Sequence, residues 1–228
     1  MTERTANTTA AGPAGDPHRP TPPGLALGFT RLLLVGTGAV CVSTLPEQIA
    51  RIRATCPALE IQTVLTRSAL RFVTRETLNL LTGRRTVIDA WPDEPVLRAP
   101  HVDLTAWAEA VLVHPSTFSY TARLALGLAN SPSLLTAQCT AAPVGVAPAL
   151  PPGGVESHAY RAHAASLAAR PNYVVAPPVP ALSLTTGRMD SWAPAELPDL
   201  LEQVAQLRRR LVAGAAGAAT DVPGGSPE

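Results

Sequence analysis

Short apolar runs rich in β-branched residues alternate with longer segments of helical periodicity through the middle of the chain. This alternation is typical of βαβ units, in which right-handed crossovers place helices on both faces of a parallel sheet. It predicts an α/β protein of three layers, with a central parallel sheet between two layers of helices. The predicted strands are residues 32–36, 61–65, 110–113, 144–147 and 173–175.

Helices are predicted between these strands, and the first has a recognisable start. Thr44 stands three residues before Glu47, with Pro46 in the first turn, which is the spacing of a capping box. The predicted helices are residues 46–54, 76–81, 118–129, 156–169 and 196–211.

The two ends of the chain differ from its middle in composition. Residues 1–29 and 213–228 are rich in proline, glycine and alanine, and such segments bury too little apolar surface to offset the entropy lost on ordering. Both are predicted to be disordered tails around one folded domain, residues 30–212. A length of 228 residues suits a single domain with a sizeable core.

Charge and cysteine content exclude several classes of partner. Lys and Arg number 18 against 17 Asp and Glu, so no basic surface is expected for nucleic acid or an anionic membrane. The apolar residues 32–42 are interrupted by glycines and are too short to cross a bilayer. Three cysteines without paired spacing indicate a reducing, cytoplasmic location and no metal site, and Cys139 is expected to be a small buried hydrophobe.

Two turns at strand ends carry the first candidate site. Ligands of parallel sheets bind beyond the carboxyl ends of the strands. The first predicted strand runs into a glycine turn that can expose backbone amides, and the second ends in a turn rich in hydroxyls. Together the turns predict a nucleotide phosphate site. The residues predicted to bind the cofactor here are Thr37, Gly38, Ala39, Thr66, Ser68 and Phe72.

A second candidate region surrounds the third predicted strand. A histidine just ahead of a buried strand, followed by a Pro-Ser-Thr turn that opens a helix, is where α/β enzymes place catalytic and ring-binding groups. His101 is the candidate catalytic residue, because imidazole is the side chain best matched to proton transfer near neutral pH. The further residues predicted to bind the cofactor are Pro115, Ser116, Thr117 and Ser119.

These segments, in this order and spacing, resemble the homo-oligomeric flavin-containing cysteine decarboxylases. That family includes phosphopantothenoylcysteine decarboxylase and the peptidyl-cysteine decarboxylases of lantibiotic biosynthesis, and the resemblance covers residues 31–211. The segments that carry it are T-G-A-V at 37–40, V-L-T-R-S-A at 64–69, F-V-T-R-E-T-L at 72–78, H-V-D-L at 101–104, W-A-E at 107–109, H-P-S-T-F-S at 114–119 and G-R-M at 187–189.

The resemblance implies a flavodoxin-like fold, FMN as the cofactor with FAD as a possibility, and an oxidative decarboxylation. In that reaction flavin takes a hydride from the cysteine β-carbon, and the resulting thioaldehyde is the electron sink for loss of the α-carboxylate as carbon dioxide. The product is an enethiol, and His101 would position the substrate and handle a proton. The family also implies assembly as a homotrimer or homododecamer, with flavin at subunit contacts.

The sequence departs from the family on the substrate side. The family clamp P-x-M-N-x-x-M-W corresponds to residues 148–155, where Leu150 and Pro151 replace the methionine and the asparagine. Pro151 has no side-chain amide with which to recognise a carboxylate, and Ser119 also stands where the family has asparagine. Alternative sources of a carboxylate contact are His158 and Arg161.

Three functions remain open. Residues 179–184 lack the cysteine of the late A-C-G motif with which phosphopantothenoylcysteine decarboxylase lets its enethiol be reduced. This favours release of an aminoenethiol made from the carboxy-terminal cysteine of a ribosomal precursor peptide. The enzyme alternative is phosphopantothenoylcysteine decarboxylation in coenzyme A biosynthesis, and the third reading is a non-catalytic scaffold subunit.

Overall fold

Six parallel strands form the centre of the structure, a computed structural model that describes residues 26–220, with side chains to residue 215. The strands are β1 (Arg31–Gly36), β2 (Glu60–Leu65), β3 (Val87–Ile88), β4 (Ala110–Thr117), β5 (Val144–Ala149), β6 (Tyr173–Val175), β7 (Val179–Ala181) and β8 (Ser191–Ala193). The sheet has the order β3-β2-β1-β4-β5-β6, and β7 and β8 form a separate antiparallel hairpin.

Helices cover both faces of the sheet. They are α1 (Leu45–Thr55), α2 (Arg75–Thr82), α3 (Pro100–Trp107), α4 (Phe118–Ala125), α5 (Pro132–Cys139), α6 (His158–Ala168) and α7 (Leu197–Thr220).

The two helical layers follow from strands that are apolar on both sides. On β1, Leu32 and Leu34 belong to the core shared with α1, α2 and α7, while Leu33 and Val35 belong to the core shared with α3 to α6. Burial on both faces is expected of a central parallel strand. The predicted three-layer α/β fold is therefore confirmed.

The chain reverses its direction across the sheet between β3 and β4. β1 pairs in parallel with β2 on one side and with β4 on the other, so the connection after β3 crosses back over β1. Such a reversal opens a crevice at the carboxyl ends of the neighbouring strands. The loops that follow β1, β2, β4 and β5 meet at this edge.

All five predicted strands are present, whereas β3, β7 and β8 were not predicted because two or three residues are too few to show a period. Two helices were also missed, α3 and α5, and both have proline in their first turn. The predicted helix at residues 118–129 is too long: α4 ends at Ala125, and Gly127 has a φ of 73°, a left-handed conformation that ends the helix.

The capping box predicted at Thr44 is wrong. Thr44 is the last residue of a 3-10 helix, and its hydroxyl donates to the Cys41 carbonyl oxygen (2.9 Å) and accepts from Gln48 Nε2 (2.7 Å). The side chain makes no cap to the amides of α1. Because Thr44 ends a 3-10 helix, its backbone is already helical, whereas a capping residue normally has an extended backbone.

The described part of the chain extends beyond residues 30–212 at both ends, and the domain boundaries themselves stay predictions. Leu27 and Phe29 are buried in the core, and α7 continues past residue 212 to Thr220. Residues 1–25 and 221–228 lie outside the described part of the chain. Cys139 is exposed at the end of α5, so the prediction of a buried thiol is wrong. Across residues 26–220, no helix is both long and apolar enough to cross a membrane.

Candidate active site

Thr37 fastens the turn after β1 to the end of β4. Its hydroxyl donates to the Pro115 carbonyl oxygen (2.7 Å) and accepts from the Thr117 amide (2.8 Å). The side chain is only 1% exposed. Both functions of the hydroxyl are used within the protein, so Thr37 positions the two turns and does not offer its side chain to a ligand.

Gly38 and Ser68 bring the first and second turns together. A Cβ atom on Gly38 would overlap Ser68 Oγ, so only glycine allows the two turns to approach so closely. Ser68 is exposed, and its hydroxyl lies 3.1 Å from Thr66 Oγ1. The Ala39 amide donates to the Thr37 carbonyl oxygen (2.8 Å), whereas the Gly38 amide has no recorded partner within residues 26–220. An exposed hydroxyl beside a free amide suits a phosphate group.

The predicted Pro-Ser-Thr turn is wrong, because β4 continues to Thr117 and leads directly into α4. This junction presents a mixture of buried and accessible groups. Ser116 is fully buried, with Oγ at 2.8 Å from Thr121 Oγ1, so only its backbone could contact a ligand. Thr117 caps α4 by accepting from the Tyr120 amide (3.3 Å). Ser119 is exposed in the first turn of α4, and Phe72 is 39% exposed on the second turn. The predicted cofactor residues therefore lie at one edge of the sheet. The hydroxyls of Thr37 and Ser116, however, are hydrogen-bonded inside the protein and support this edge without facing a ligand.

His114, the residue before Pro115, is a buried and neutral group beneath this edge. Its Nε2 lies 2.8 Å from the Ala195 carbonyl oxygen, which fixes Nε2 as the donor. Burial lowers the pKa of His114 from 6.5 to about 4, against the smaller opposing effect of this hydrogen bond. The imidazole is therefore uncharged at neutral pH and ties β4 to the segment that leads into α7.

His101 lies in the first turn of α3, which begins on the same side of the sheet as the turns above. Its carbonyl oxygen accepts from Thr105 Oγ1 (2.7 Å) and from Thr136 Oγ1 of α5 (3.3 Å). The ring is half-buried, and Nδ1 is buried without a hydrogen-bond partner among the described residues. The Trp91 ring meets it edge-on, with centroids 5.5 Å apart and planes at 77°. The predicted catalytic residue is thus on a helix, where the sequence had indicated only a position ahead of a strand.

The loop after β5 carries the residues that the resemblance assigns to the substrate side. Leu150 is buried and exchanges two backbone hydrogen bonds with Trp192 of β8 (2.9 and 3.0 Å), which attaches the β7–β8 hairpin to this loop. Pro151 is exposed immediately beyond. Gly187 and Arg188, from the predicted G-R-M segment, lie in the turn of that hairpin, where Gly187 has a φ of 66°. The loop and the hairpin are therefore joined through the backbone.

The two alternatives to the clamp asparagine, His158 and Arg161, lie on α6. Arg161 donates from Nε to the Val155 carbonyl oxygen (3.2 Å) and remains exposed, and His158 is also exposed. Neither residue contacts Pro151 through a hydrogen bond in the described chain. Their role in binding a carboxylate stays a prediction.

An open groove of about 470 Å³ lies elsewhere, along α3 beside Trp107 and Gln62. It includes none of the predicted site residues. Its Arg84 is already paired with Glu60 (3.0 Å) and lies 4.6 Å from the centre of the Trp107 ring. Its other cation, Arg98, is paired with Asp103 (2.7 Å), so both arginines that line the groove already have an acidic partner.

Comparison with known proteins decides the family. The flavoprotein family model matches residues 25–207 of this chain. The chain belongs to the flavoprotein family. This membership, together with the relatives below, confirms the resemblance to flavin-containing cysteine decarboxylases and the expectation of a flavin cofactor.

Two curated relatives illustrate the range of this flavoprotein's similarities. Cypemycin cysteine dehydrogenase (decarboxylating) from a Streptomyces species is 31% identical over 145 residues, which are 63% of this chain and 74% of the relative. The coenzyme A biosynthesis bifunctional protein CoaBC of Haemophilus influenzae is 33% identical over 121 residues, 52% of this chain. The match spans only 29% of the length of that bifunctional protein.

Solved structures agree with the fold of the flavoprotein. The cypemycin decarboxylase CypD superposes with a TM-score of 0.66 at 26% identity, over 81% of this chain and 96% of CypD. The FMN-dependent cysteine decarboxylase SpaF gives a TM-score of 0.68 at 23% identity, over 81% of this chain and 99% of SpaF, and shows the shared fold alone.

The flavoprotein's own residues fit a flavin phosphate at the Gly38–Ser68 contact. The cradle is open only because Gly38 lacks a Cβ atom, and Ser68 Oγ and the Gly38 amide are the donors at its surface. Within residues 26–220, no cluster of three or more His, Cys, Asp or Glu side chains could hold a metal ion.

Several residues that build the flavoprotein's site were not found by sequence reasoning. Asp89 follows β3 and accepts from Ser131 Oγ (2.8 Å) and the Ser133 amide (2.9 Å), which ties β3 to the start of α5. Trp91 follows two residues later. The Ser-Pro pair at residues 131–132 is a helix-start signal that could have revealed α5, whereas nothing local marks Trp91 as a neighbour of His101.

Proposed function

We propose that this flavoprotein oxidatively decarboxylates the carboxy-terminal cysteine of a precursor peptide and releases an aminoenethiol. The observation that carries the proposal is the placement of His101 at the same sheet edge as the Gly38–Ser68 cradle. The similarity to cypemycin cysteine dehydrogenase, 74% of whose length the match covers, supports this reaction.

FMN is the cofactor that the relatives favour, and it would supply an acceptor for a hydride. Ser68 Oγ and the Gly38 amide would hold its phosphate. The end of β4 at Pro115 and Thr117, with the exposed Ser119 just beyond it, would hold its ring system. Thr37 keeps this end of β4 at a fixed distance from the phosphate cradle.

His101 handles the proton of the substrate thiol. Because Nδ1 is buried, Nε2 is the nitrogen available to a substrate. Removal of a hydride from the cysteine β-carbon and of the thiol proton, to Nε2, leaves a thioaldehyde on the peptide. The carbon–carbon bond to the α-carboxylate then breaks and carbon dioxide departs. The electron pair of the broken bond forms the carbon–carbon double bond of an enethiolate. Return of the proton from His101 yields the enethiol.

Phosphopantothenoylcysteine decarboxylation is the second candidate, because the CoaBC relative is 33% identical over its matched region. The β7–β8 hairpin and its turn, residues 179–193, contain no cysteine. The resemblance places the cysteine that permits reduction of the enethiol in this segment. Release of the enethiol from a peptide therefore remains the better-supported product.

Peptide turnover tests the proposal. The full chain, purified with its flavin, is incubated with synthetic peptides that end in cysteine and are randomised at the three preceding positions. We expect a mass loss of about 46 Da, that of two hydrogens and carbon dioxide, and no change for the same peptides ending in serine. Conversion of phosphopantothenoylcysteine but of no peptide would instead establish the second candidate. Bound yellow flavin without either reaction would favour the scaffold.

The proposal includes self-assembly into a trimer or a dodecamer of trimers. Exposed apolar side chains on the turns and loops at the candidate site would be covered by a neighbouring copy, which is the usual meaning of such surface. Light scattering of the purified holoprotein should give a mass three or twelve times that of one chain. A monomer at micromolar concentration would contradict it. The side chains concerned are Val40, Leu70 and Phe72.

A further inference from the structure

The imidazole of His101 is held in an unusual way. Buried histidine rings are commonly oriented by a hydrogen bond to one ring nitrogen, which also selects the tautomer. Nδ1 of His101 is buried and has no hydrogen-bond partner in the part of the chain that the structure describes. The contact that does fix the ring is with Trp91, at a centroid separation of 5.5 Å and an interplanar angle of 77°. This edge-to-face geometry is one that aromatic pairs prefer.

Both partners of this contact are anchored to the same helix. Thr136 of α5 donates to the His101 carbonyl oxygen (3.3 Å). Asp89, two residues before Trp91, accepts from Ser131 Oγ and the Ser133 amide at the start of α5 (2.8 and 2.9 Å). The backbones that carry the two rings therefore share one point of reference, and their relative position does not depend on the longer loop between them.

Core stability alone does not account for Trp91. The side chain is 37% exposed, and it belongs to neither of the two buried core clusters. Its recorded ring contact is His101. Leu97, in the same loop, is fully exposed, which shows that apolar residues of this loop are not all drawn into the core.

We propose that Trp91 is a positioning residue for His101: its indole ring fixes the imidazole plane and directs Nε2 toward the substrate thiol. This inference rests on the proposed function for the reaction it serves, but the ring contact itself can be observed without turnover. Since a misplaced catalytic group costs rate rather than affinity, loss of the contact should lower kcat with little change in KM or in flavin affinity.

The test compares Trp91→Leu and Trp91→Gln, which remove the aromatic edge, with Trp91→Phe, which retains it. Leu97→Ala is the matched control in the same loop. Holoprotein labelled with ¹³C at the histidine rings is examined by NMR, with His101 assigned from a His101→Asn spectrum. We expect the His101 ring-proton resonances to move in Trp91→Leu and Trp91→Gln as the ring current is lost, and to move far less in Trp91→Phe and Leu97→Ala.

Turnover of a peptide ending in cysteine supplies the second readout. We expect kcat to fall roughly tenfold to a hundredfold in Trp91→Leu, with flavin affinity and melting temperature unchanged, and to recover in Trp91→Phe. Unmoved His101 resonances in both loss variants would overturn the contact. Moved resonances with an unchanged kcat would overturn the positioning role. If the wild-type protein turns over no peptide, the proposed function fails, while the NMR comparison still decides whether Trp91 fixes the ring.

Discussion

The two sides of the carboxyl edge are built in different ways. On the cofactor side, the turns after β1, β2 and β4 are fixed to one another by Thr37 and by the close approach of Gly38 to Ser68. On the substrate side, Pro151 is exposed in a loop attached to a hairpin through Leu150. Holding a phosphate needs backbone amides and a hydroxyl, whereas recognising a substrate needs particular side chains. Against the family pattern that the sequence resembles, Gly38 is present, whereas Leu150 and Pro151 replace the clamp residues.

His101 stands between these sides, and its replacement should have the largest effect. In His101→Asn the proton acceptor is lost, so we expect peptide turnover to fall by about 10² to 10⁴. Flavin content, measured by absorbance near 450 nm, a wavelength typical of flavins, should be unchanged. If turnover in this variant stayed within about threefold of wild type, His101 would have no part in the chemistry.

His114 tests the rigidity of the cofactor side through pH. Burial lowers its pKa from 6.5 to about 4. Between these pH values His114 is therefore protonated in the unfolded chain and neutral in the folded chain. The contribution of neutral His114 to the free energy of unfolding is complete above pH 6.5. As the pH falls toward 4, the free energy of unfolding decreases by about 3 kcal/mol on this account.

Urea unfolding of the wild type and of His114→Asn between pH 7 and pH 4 measures this contribution. The carboxylates, including Glu109 whose pKa the Thr30 amide lowers, titrate in both proteins. The variant should therefore lose less stability on acidification by that amount. Equal pH dependence of the two proteins would show that His114 is already charged or solvated in the native state.

Gly38 tests whether the contact between the two turns makes the phosphate cradle. An added Cβ would meet Ser68 Oγ, and relief of such a contact costs about 1–3 kcal/mol. We expect the flavin dissociation constant of Gly38→Ala to rise roughly tenfold or more, as measured by fluorescence titration. Gly214→Ala is the control, because a Cβ there meets no atom within 4 Å. Unchanged flavin affinity in Gly38→Ala would place the phosphate elsewhere.

Pro151 gives the smallest expected effect and probes the changed side directly. Restoring an amide in Pro151→Asn should lower the KM for peptides ending in cysteine by roughly two- to tenfold, the range for one added hydrogen bond. Flavin affinity should not change. Pro152→Asn, one residue on, is the matched control. A lower KM in both variants would show an effect of loop conformation, not of the amide.

The cofactor side could be predicted from sequence because its signals are local. Gly38, Ser68 and Thr117 each follow a buried strand, and parallel strands bring their carboxyl ends to one edge. The individual contacts could not be predicted, since Thr37 bonds to backbone groups 78 and 80 residues away in sequence and Ser116 bonds to a side chain 5 residues away. The helices that position His101 were missed for a similar reason: α3 and α5 are short, and apolar residues lie on more than one side of each.

The predicted substrate side was harder to anticipate because its structure comes from distant pairing. β7 and β8 are three residues each and are defined by one another and by the bridge from Leu150 to Trp192. No periodicity can appear in so short a strand. Trp91 illustrates the same limit. It contacts His101 because Asp89, two residues before Trp91, and the His101 carbonyl oxygen are both hydrogen-bonded to α5.

An anaerobic titration tests the central claim most directly, that this flavoprotein couples loss of carbon dioxide from a peptidyl cysteine to reduction of its bound flavin. The holoprotein is mixed without oxygen with a peptide ending in cysteine, and absorbance near 450 nm and peptide mass are recorded together. We predict one flavin bleached for each peptide that loses about 46 Da. Loss of about 44 Da without bleaching, or an unchanged mass across the peptide library with flavin bound, would contradict the account.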